Sequence, residues 1–244
     1  MTKAEQYRAA LADLADWDAY LLAESGLPGP RGNLELAHVV ADLGDQALFE
    51  RYLSYTAETA PVNDPHEFLA FCGVVGLGRL LAAGQTELLE RIRACANDPR
   101  WRMREGVAQA LQKLGDVDMA ALIAAVEPWM NGTLLERRAV AAALCEPRLL
   151  KQAASAQRTL EILAEITQTL ATESDRRSEA FKALRKALAY CWSVAIVALP
   201  ESGKPRFESL LESEDKDVQW VVKQNLRKNR LVRMDAAWVE SLKH

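Results

Sequence analysis

The sequence predicts an all-α fold, built as a right-handed α-solenoid of about six helix pairs. Helical segments with one apolar stripe recur along the chain, and each carries a leucine at the same place in the stripe. These anchor leucines are Leu43, Leu77, Leu111, Leu144, Leu184 and Leu226, separated by 34, 34, 33, 40 and 42 residues. Only 12 glycines and 9 prolines interrupt the 244 residues, which disfavours a strand-rich fold with many turns. Because a helix pair cannot bury its apolar face alone, neighbouring pairs are expected to stack.

The two ends of the chain are predicted to cap a single repeat domain that spans residues 1–244. Three segments make up this domain: an N-terminal cap (1–26), the repeats (33–232) and a C-terminal cap (233–244). The leading helix, Lys3 to Leu22, places four apolar side chains on related turns: Tyr7, Leu11, Leu14 and Leu21. At the far end, Trp238 and Leu242 lie in a short amphipathic segment that would close the last pair.

A second helical stretch lies between successive anchors, and turn-forming residues mark the joints. The predicted joints are Asn63-Asp64-Pro65, Asn97-Asp98-Pro99, Asn131-Gly132 and Glu201-Ser202-Gly203-Lys204-Pro205. Gly73, Gly76 and Gly78 fall inside a predicted helix, where they favour the close approach of two helices over a phosphate-binding loop.

No targeting or membrane segment is evident in the sequence, so a soluble, cytoplasmic protein is expected. Charged residues interrupt the N-terminal stretch, and the most apolar run, Ala187 to Pro200, is too short to span a bilayer. The four cysteines lie far apart, without a C-x-x-C pair: Cys72, Cys95, Cys145 and Cys191. This spacing fits neither a zinc site nor a redox motif and indicates a reducing compartment.

Residues for catalysis or metal binding are scarce. The three histidines, His38, His66 and His244, have no second ligand at metal spacing, and each is read as structural. The sequence contains no nucleophile elbow, no phosphate loop and no dinucleotide-binding motif. We therefore expect no metal, no cofactor and no catalytic residue, and a protein without enzymatic activity is favoured.

Two segments carry a more specific pattern. Asp98 and Pro99 open a helix with Arg100, Trp101, Arg102, Met103 and Arg104, followed by Val107, Ala108, Ala110, Leu111 and Gly115. The segment from Asp215 through Val218 and Val222 to Leu226 repeats this pattern, with Gln219 in the place of the arginine. Both resemble the second half of a HEAT repeat. The resemblance implies stacked helix pairs whose second helices line a concave face.

Charge is distributed unevenly along the chain. Residues 1–98 contain 15 acidic and 7 basic side chains, whereas residues 99–244 contain 19 acidic and 23 basic ones. Within the basic part, three arginines fall seven residues before an anchor leucine: Arg104, Arg137 and Arg177. If the repeats stack, these three arginines would form a ladder along one edge. The ladder could bind a ligand, but the favoured alternative is that each arginine caps a helix end or pairs with an acidic loop residue.

A second basic set follows later on the same helices and is predicted to bind a partner. It consists of Lys182, Arg185, Lys186, Lys223, Arg227, Lys228 and Arg230. A solvated helix face is an equal alternative for these residues. Trp101, Trp192 and Trp220 lie near these cations, where a tryptophan can form a stacking platform or belong to the core. Trp101 is the best placed because it precedes the apolar stripe.

The run from Arg185 through Lys186 to Tyr190 is similar to a stretch in HEAT-like DNA glycosylases that excise alkylated bases. That resemblance implies duplex DNA binding. Those enzymes also carry a tryptophan pair and a carboxylate that stabilise a cationic sugar, and this chain has no matching segment.

These patterns predict a non-catalytic scaffold that binds a protein partner or an acidic segment on a concave face. DNA binding or repair of the glycosylase type is the alternative. A third hypothesis is a lyase-type or cofactor-handling HEAT protein, which would need a reactive cysteine or an acidic inner pocket.

Overall fold

The protein is all-helical in a computed structural model that describes residues 1–243, so that His244 lies outside the described residues. Helices account for 74% of the chain, and no strand occurs in the described part. The chain divides into two compact units, Met1–Val117 and Asp118–His244. The all-α class is confirmed. The right-handed solenoid of six stacked pairs stays a prediction.

The first unit is built around one long helix, α5. Its helices are α1 (Lys3–Ala12), α2 (Asp18–Glu24), α3 (Leu34–Leu43), α4 (Gln46–Leu53), α5 (Pro65–Ala82), α6 (Leu88–Ala96) and α7 (Trp101–Val117). Helix α5 is buried on nearly every side because it packs against α3, α4, α6 and α7. A helix that is apolar all round needs such an enclosed position.

Three glycines allow the neighbours of α5 to approach closely, as the sequence predicts. A Cβ on Gly76 would lie 2.3 Å from the Phe49 ring of α4, and one on Gly78 would lie 2.3 Å from Cα of Ala110 on α7. A Cβ on Gly73 would lie 2.8 Å from the Phe49 carbonyl oxygen. These glycines therefore serve helix packing.

The second unit is built around α11. Its helices are α8 (Met119–Val126), α9 (Leu134–Leu144), α10 (Ala153–Thr172), α11 (Glu179–Ala198), α12 (Pro200–Glu208), α13 (Lys216–Asn225), α14 (Asn229–Met234) and α15 (Ala236–Ser241). Helix α11 packs against α9, α10, α12, α13 and α14. Its buried face contains Trp192, which is fully buried and donates a hydrogen bond to Thr167 (3.0 Å). The alternative of an exposed platform is wrong for this tryptophan.

Short polar side chains start most helices and explain where the joints fall. Nine N-cap side chains accept a hydrogen bond from the first turn: Thr2, Asn33, Asp45, Asp64, Asp118, Thr133, Ser178, Asp215 and Asp235. The first three predicted joints are confirmed as breaks between helices. The fourth is wrong, because Glu201 to Pro205 lie inside α12. There Gly203 permits close packing, since a Cβ would lie 2.7 Å from Cα of Ile196.

The stripe of anchor leucines is buried at five of its six positions: Leu77, Leu111, Leu144, Leu184 and Leu226. The prediction is wrong for Leu43, which is 43% exposed, because α3 buries the residues before it and ends at this position.

The leading segment also differs from the expectation of one helix, because α1 and α2 are separate. The Trp17 indole N–H donates to the Leu11 carbonyl (3.0 Å), which a continuing helix would use for its own backbone bond. Leu14 is 39% exposed in the break, whereas Tyr7, Leu11 and Leu21 are buried.

Candidate functional site

The second unit contains a groove with a cavity volume of about 710 Å³, which we call the basic groove. Four cations line it, together with four large apolar side chains. These residues are Lys216, Lys223, Arg227 and Lys243, and Leu211, Trp220, Leu226 and Leu242. No acidic side chain lines the groove in the part of the chain that the structure describes. A positive surface over an apolar floor suits a ligand that is acidic and partly apolar.

The periodicity of α13 places two of these cations on one side. Lys216 and Lys223 are seven residues apart, which is close to two helical turns, and Arg227 lies in the turn that follows the end of the helix at Asn225. Val218 and Val221 lie on the other side of the helix and are buried. The Asp215 carboxylate caps the helix by accepting hydrogen bonds from the backbone of the first turn, which fixes where α13 begins.

Three of the groove cations are exposed and form no ion pair. Among the described residues, none of Lys216, Lys223 and Arg227 has a carboxylate within 4.0 Å. Lys243 differs, because its ammonium group pairs with Glu240 at 2.8 Å. Lys223 and Arg227 can therefore interact with a ligand without first breaking an internal ion pair.

A partly buried charge network supports Trp220. The Arg185 guanidinium lies over the Trp220 ring, 4.3 Å from its centroid, and forms an ion pair with the buried Asp217. Arg176 also pairs with Asp217 (3.0 Å) and with Asp215 (2.6 Å). Arg185 therefore positions the tryptophan of the groove instead of lining the groove itself.

The pKa of Asp215, one carboxylate of this network, is lowered. Desolvation raises the pKa of Asp215, but backbone N–H donation from Val218 and the ion pair with Arg176 lower it by more. The pKa therefore lies below its ordinary value of 3.8, and the carboxylate stays charged near neutral pH.

The segment 223–233, which includes Lys223 and Arg227 of the groove, contains five cations and no acidic residue. Three of these cations line a second hollow of about 670 Å³ together with Tyr190: Lys228, Arg230 and Arg233. Tyr190 is 45% exposed, and the Arg230 guanidinium lies 4.6 Å from its ring centroid. The second unit thus presents clustered positive charge at two hollows.

The predicted arginine ladder has a structural role at two of its three positions. Arg104 donates to the carbonyls of Asp98 (2.8 Å) and Pro99 (2.7 Å), just before its own helix, and Arg137 donates to the Met130 carbonyl (2.9 Å). The capping alternative is therefore confirmed for these two arginines. Arg177 is exposed, and its backbone N–H donates to Asp175 (3.1 Å).

The same capping occurs where the arginine is replaced. Gln219, also seven residues before an anchor leucine, donates to the carbonyls of Leu210, Leu211 and Ser213. At the third position, the capping donor is Arg176 instead of its neighbour Arg177, and its guanidinium donates to the Ala171 and Glu173 carbonyls. A side-chain donor thus satisfies the loop before each of these helices.

Two of the remaining predicted residues stand apart from the basic groove. Lys182 pairs with Glu179 (2.7 Å) on its own helix, and Lys186 is exposed without lining the groove. Trp101 lies in the first unit, where it lines another pocket. Sequence reasoning missed Lys216 and Lys243, although the seven-residue spacing from Lys216 to Lys223 could have identified the first.

Residues suited to metal binding are not brought together, whereas two buried cysteines, Cys145 and Cys191, lie in contact with each other. Within residues 1–243, no three His, Cys, Asp or Glu side chains are arranged to hold a metal ion. All four cysteines are buried, and burial raises the pKa of Cys72 and Cys145 well above the ordinary value and that of Cys95 to about 11. None of the described helices is both long and apolar enough to cross a bilayer.

Comparisons with protein-family models, curated proteins and solved structures find no match to this chain. Membership of the HEAT-repeat family and the similarity to DNA glycosylases therefore stay predictions. What the structure defines is an all-helical protein whose second unit carries a basic groove.

Proposed function

We propose that the protein is a non-catalytic binding module that holds an acidic segment of a partner protein in the basic groove. The observation that carries this proposal is the meeting of four cations and Trp220, which Arg185 contacts, in one groove that no acidic side chain of the described residues lines. Lys223 and Arg227 would contact the carboxylates of the segment. Trp220 and Leu226 would contact its apolar side chains.

The rigidity of the groove supports binding by a preformed surface. The groove is built mainly from α13, whose inner face is buried, and Trp220 is held by Arg185. Trp220 therefore loses little side-chain freedom when a ligand is bound, so more of its contact energy appears as affinity.

A charge-reversal experiment tests the proposal. The variant Lys223→Glu with Arg227→Glu should bind a fluorescein-labelled glutamate–leucine peptide at least about tenfold more weakly in a polarisation assay. Lys186→Glu is the matched control, because Lys186 is an equally exposed cation that does not line the groove. Equal affinity of the double variant and the unmodified protein would contradict the proposal.

DNA binding is the alternative, and the basic segment 223–233 favours it. A mobility-shift titration with a short DNA duplex at two salt concentrations separates the two functions. DNA binding should weaken steeply with salt because counterions are released from the phosphates. If the duplex binds and the acidic peptide does not, the groove belongs to a nucleic-acid surface.

A further inference from the structure

Two cysteines of the second unit lie against each other in its core. Cys145 is the C-cap residue of α9, and Cys191 lies within α11. The two residues are 5% and 3% exposed, and α9 packs against α11. The other two cysteines of the chain, Cys72 and Cys95, belong to the first unit. The second unit therefore contains a single pair of cysteines, and the fold brings its two members together.

One backbone carbonyl group holds the two residues side by side. The Ala141 carbonyl oxygen accepts the Cys145 backbone N–H at 3.1 Å and the Cys191 thiol at 3.3 Å. The two thiols also hydrogen-bond to each other. Because a thiol is a weak donor and a weak acceptor, these contacts are easily exchanged for a covalent bond. The sulfur atoms need to move only from contact to the disulfide bond length of about 2.0 Å.

The burial of the pair makes its chemistry slow and selective for small oxidants. The thiolate is the form of cysteine that attacks an oxidant, and burial raises the pKa of Cys145, whereas the positive charge of Arg230 acts in the opposite direction. Cys145 lies at a helix end, where local opening costs less than it does within α11. A peroxide needs a smaller opening than a bulky thiol reagent does. We therefore expect Cys145 to react first and Cys191 to follow.

We propose that Cys145 and Cys191 form a site of reversible oxidation, at which hydrogen peroxide joins them in a disulfide bond. The Cys145 thiolate attacks one peroxide oxygen, the O–O bond breaks, and the products are a sulfenic acid and one water. The Cys191 sulfur then attacks the sulfenic sulfur, which forms the S–S bond and releases the hydroxyl group as a second water. The two thiol protons end in these waters, so that two thiols and one peroxide give one disulfide and two waters.

The disulfide links the end of α9 to the central helix of the second unit. It closes the loop 145–191, which includes α10, and so restricts the unfolded chain. The oxidised protein is therefore more resistant to unfolding than the reduced one. Helix α11 also carries Arg185, which contacts Trp220 of the basic groove, so the modification stabilises the unit that contains the groove. The site does not depend on what the groove binds.

The test treats the whole reduced protein with hydrogen peroxide and then alkylates the remaining thiols in denaturant. Trypsin should release the peptides 139–148 and 187–206 as one linked species, lighter than their sum by two hydrogen atoms. This linkage should exceed every other cysteine pairing at least about tenfold, because only these two thiols are held in contact. A reductant should separate the two peptides. The treated protein should also have a higher urea midpoint, which the reductant reverses.

Serine variants assign the effect to the pair. Cys145→Ser and Cys191→Ser should each abolish the linkage and the rise of the urea midpoint on peroxide treatment. Cys95→Ser is the matched control, because Cys95 is a buried cysteine of the first unit, and this variant should keep both effects. Peroxide treatment in urea should give mixed pairings, because the unfolded chain does not hold the two thiols together.

Other results would contradict the proposal. It would be overturned if all four cysteines of the treated native protein remained free for alkylation, or if the linkage were no more frequent than after treatment in urea. Oxidation of Cys145 to a sulfinic acid without linkage would also overturn it, since Cys191 would then fail to intercept the sulfenic acid. A lower urea midpoint of the linked protein would show that the native contact does not fit a disulfide.

Discussion

Replacing Glu67 by Gln should destabilise the first unit by about 3–5 kcal/mol, because it leaves the Arg102 guanidinium buried without its counter-charge. The Glu67 side chain is fully buried and that of Arg102 is 6% exposed, and their ion pair measures 2.9 Å. Glu67 Oε2 also accepts the Asn63 backbone N–H (2.9 Å). The pair joins α5 to α7 next to the first-unit pocket that Trp101 lines.

The reverse change, Arg102→Met, should cost a similar amount, because it leaves a buried carboxylate with only one backbone donor. The double variant removes both charges and loses mainly the hydrogen bonds to the Gly29 carbonyl and the Asn63 side chain. At about 1 kcal/mol for each lost bond, we expect the double variant to cost about 1–3 kcal/mol, less than either single change.

The free energies of unfolding can be measured by titrating each variant with urea and monitoring hydrogen exchange in peptides from α5 and α7. Local detection is needed because two compact units need not unfold in one step. The reasoning would be refuted by a single change that costs less than about 1 kcal/mol, or by a double variant whose cost equals the sum of the two.

Three further changes test other parts of the structure. Gly78→Ala should destabilise the first unit by about 1–2 kcal/mol in a urea titration, because the new Cβ would meet the Ala110 backbone. Overpacking costs up to about 3 kcal/mol, which exceeds the gain of about 1 kcal/mol from the higher helix propensity of alanine. A more stable variant would contradict the packing described for α5 and α7. Folding lowers the pKa of Asp215, so its ionised carboxylate stabilises the folded state above about pH 4. This stabilisation is lost as the pH falls through the pKa of Asp215 in the folded protein. Asp215→Asn keeps a helix-capping side chain but loses the ion pair with Arg176, so it should cost at most about 1 kcal/mol at neutral pH. It should also reduce the loss of stability on acidification, measured by urea titrations at neutral and acidic pH, and an unchanged acid dependence would be inconsistent with this. The four buried cysteines should react with a thiol reagent only after denaturation, and rapid labelling of the native protein would revive the hypothesis of a reactive cysteine.

Helix positions were predictable because their signals are local. Asp64 followed by Pro65 starts α5, and the four-residue spacing of α7 places Leu111 in the core. The errors arise where a contact from elsewhere overrides the local pattern. The Trp17 indole takes a carbonyl and divides the leading segment, and the packing of Gly203 on Ile196 keeps a proline-containing stretch helical.

The candidate sites were less predictable than the helices. Lys223 and Arg227 could be proposed from their spacing, but their meeting with Leu242 and Lys243 depends on how the end of the chain folds back. The first-unit pocket was missed apart from Trp101, since its lining residues come from widely separated segments. Neither pattern nor composition brings such segments together.

The sequence by itself determined that this chain is helical, where most helices begin and which face of most helices is apolar, because caps and periodicity act over one or two turns. Only the tertiary structure decided what the charged side chains do. Arg104 and Arg137 turn back to loop carbonyls, Arg185 supports Trp220, and Lys223 remains available in a groove. Long charged side chains can reach many partners, so their role depends on which backbone and side-chain groups the fold places nearby.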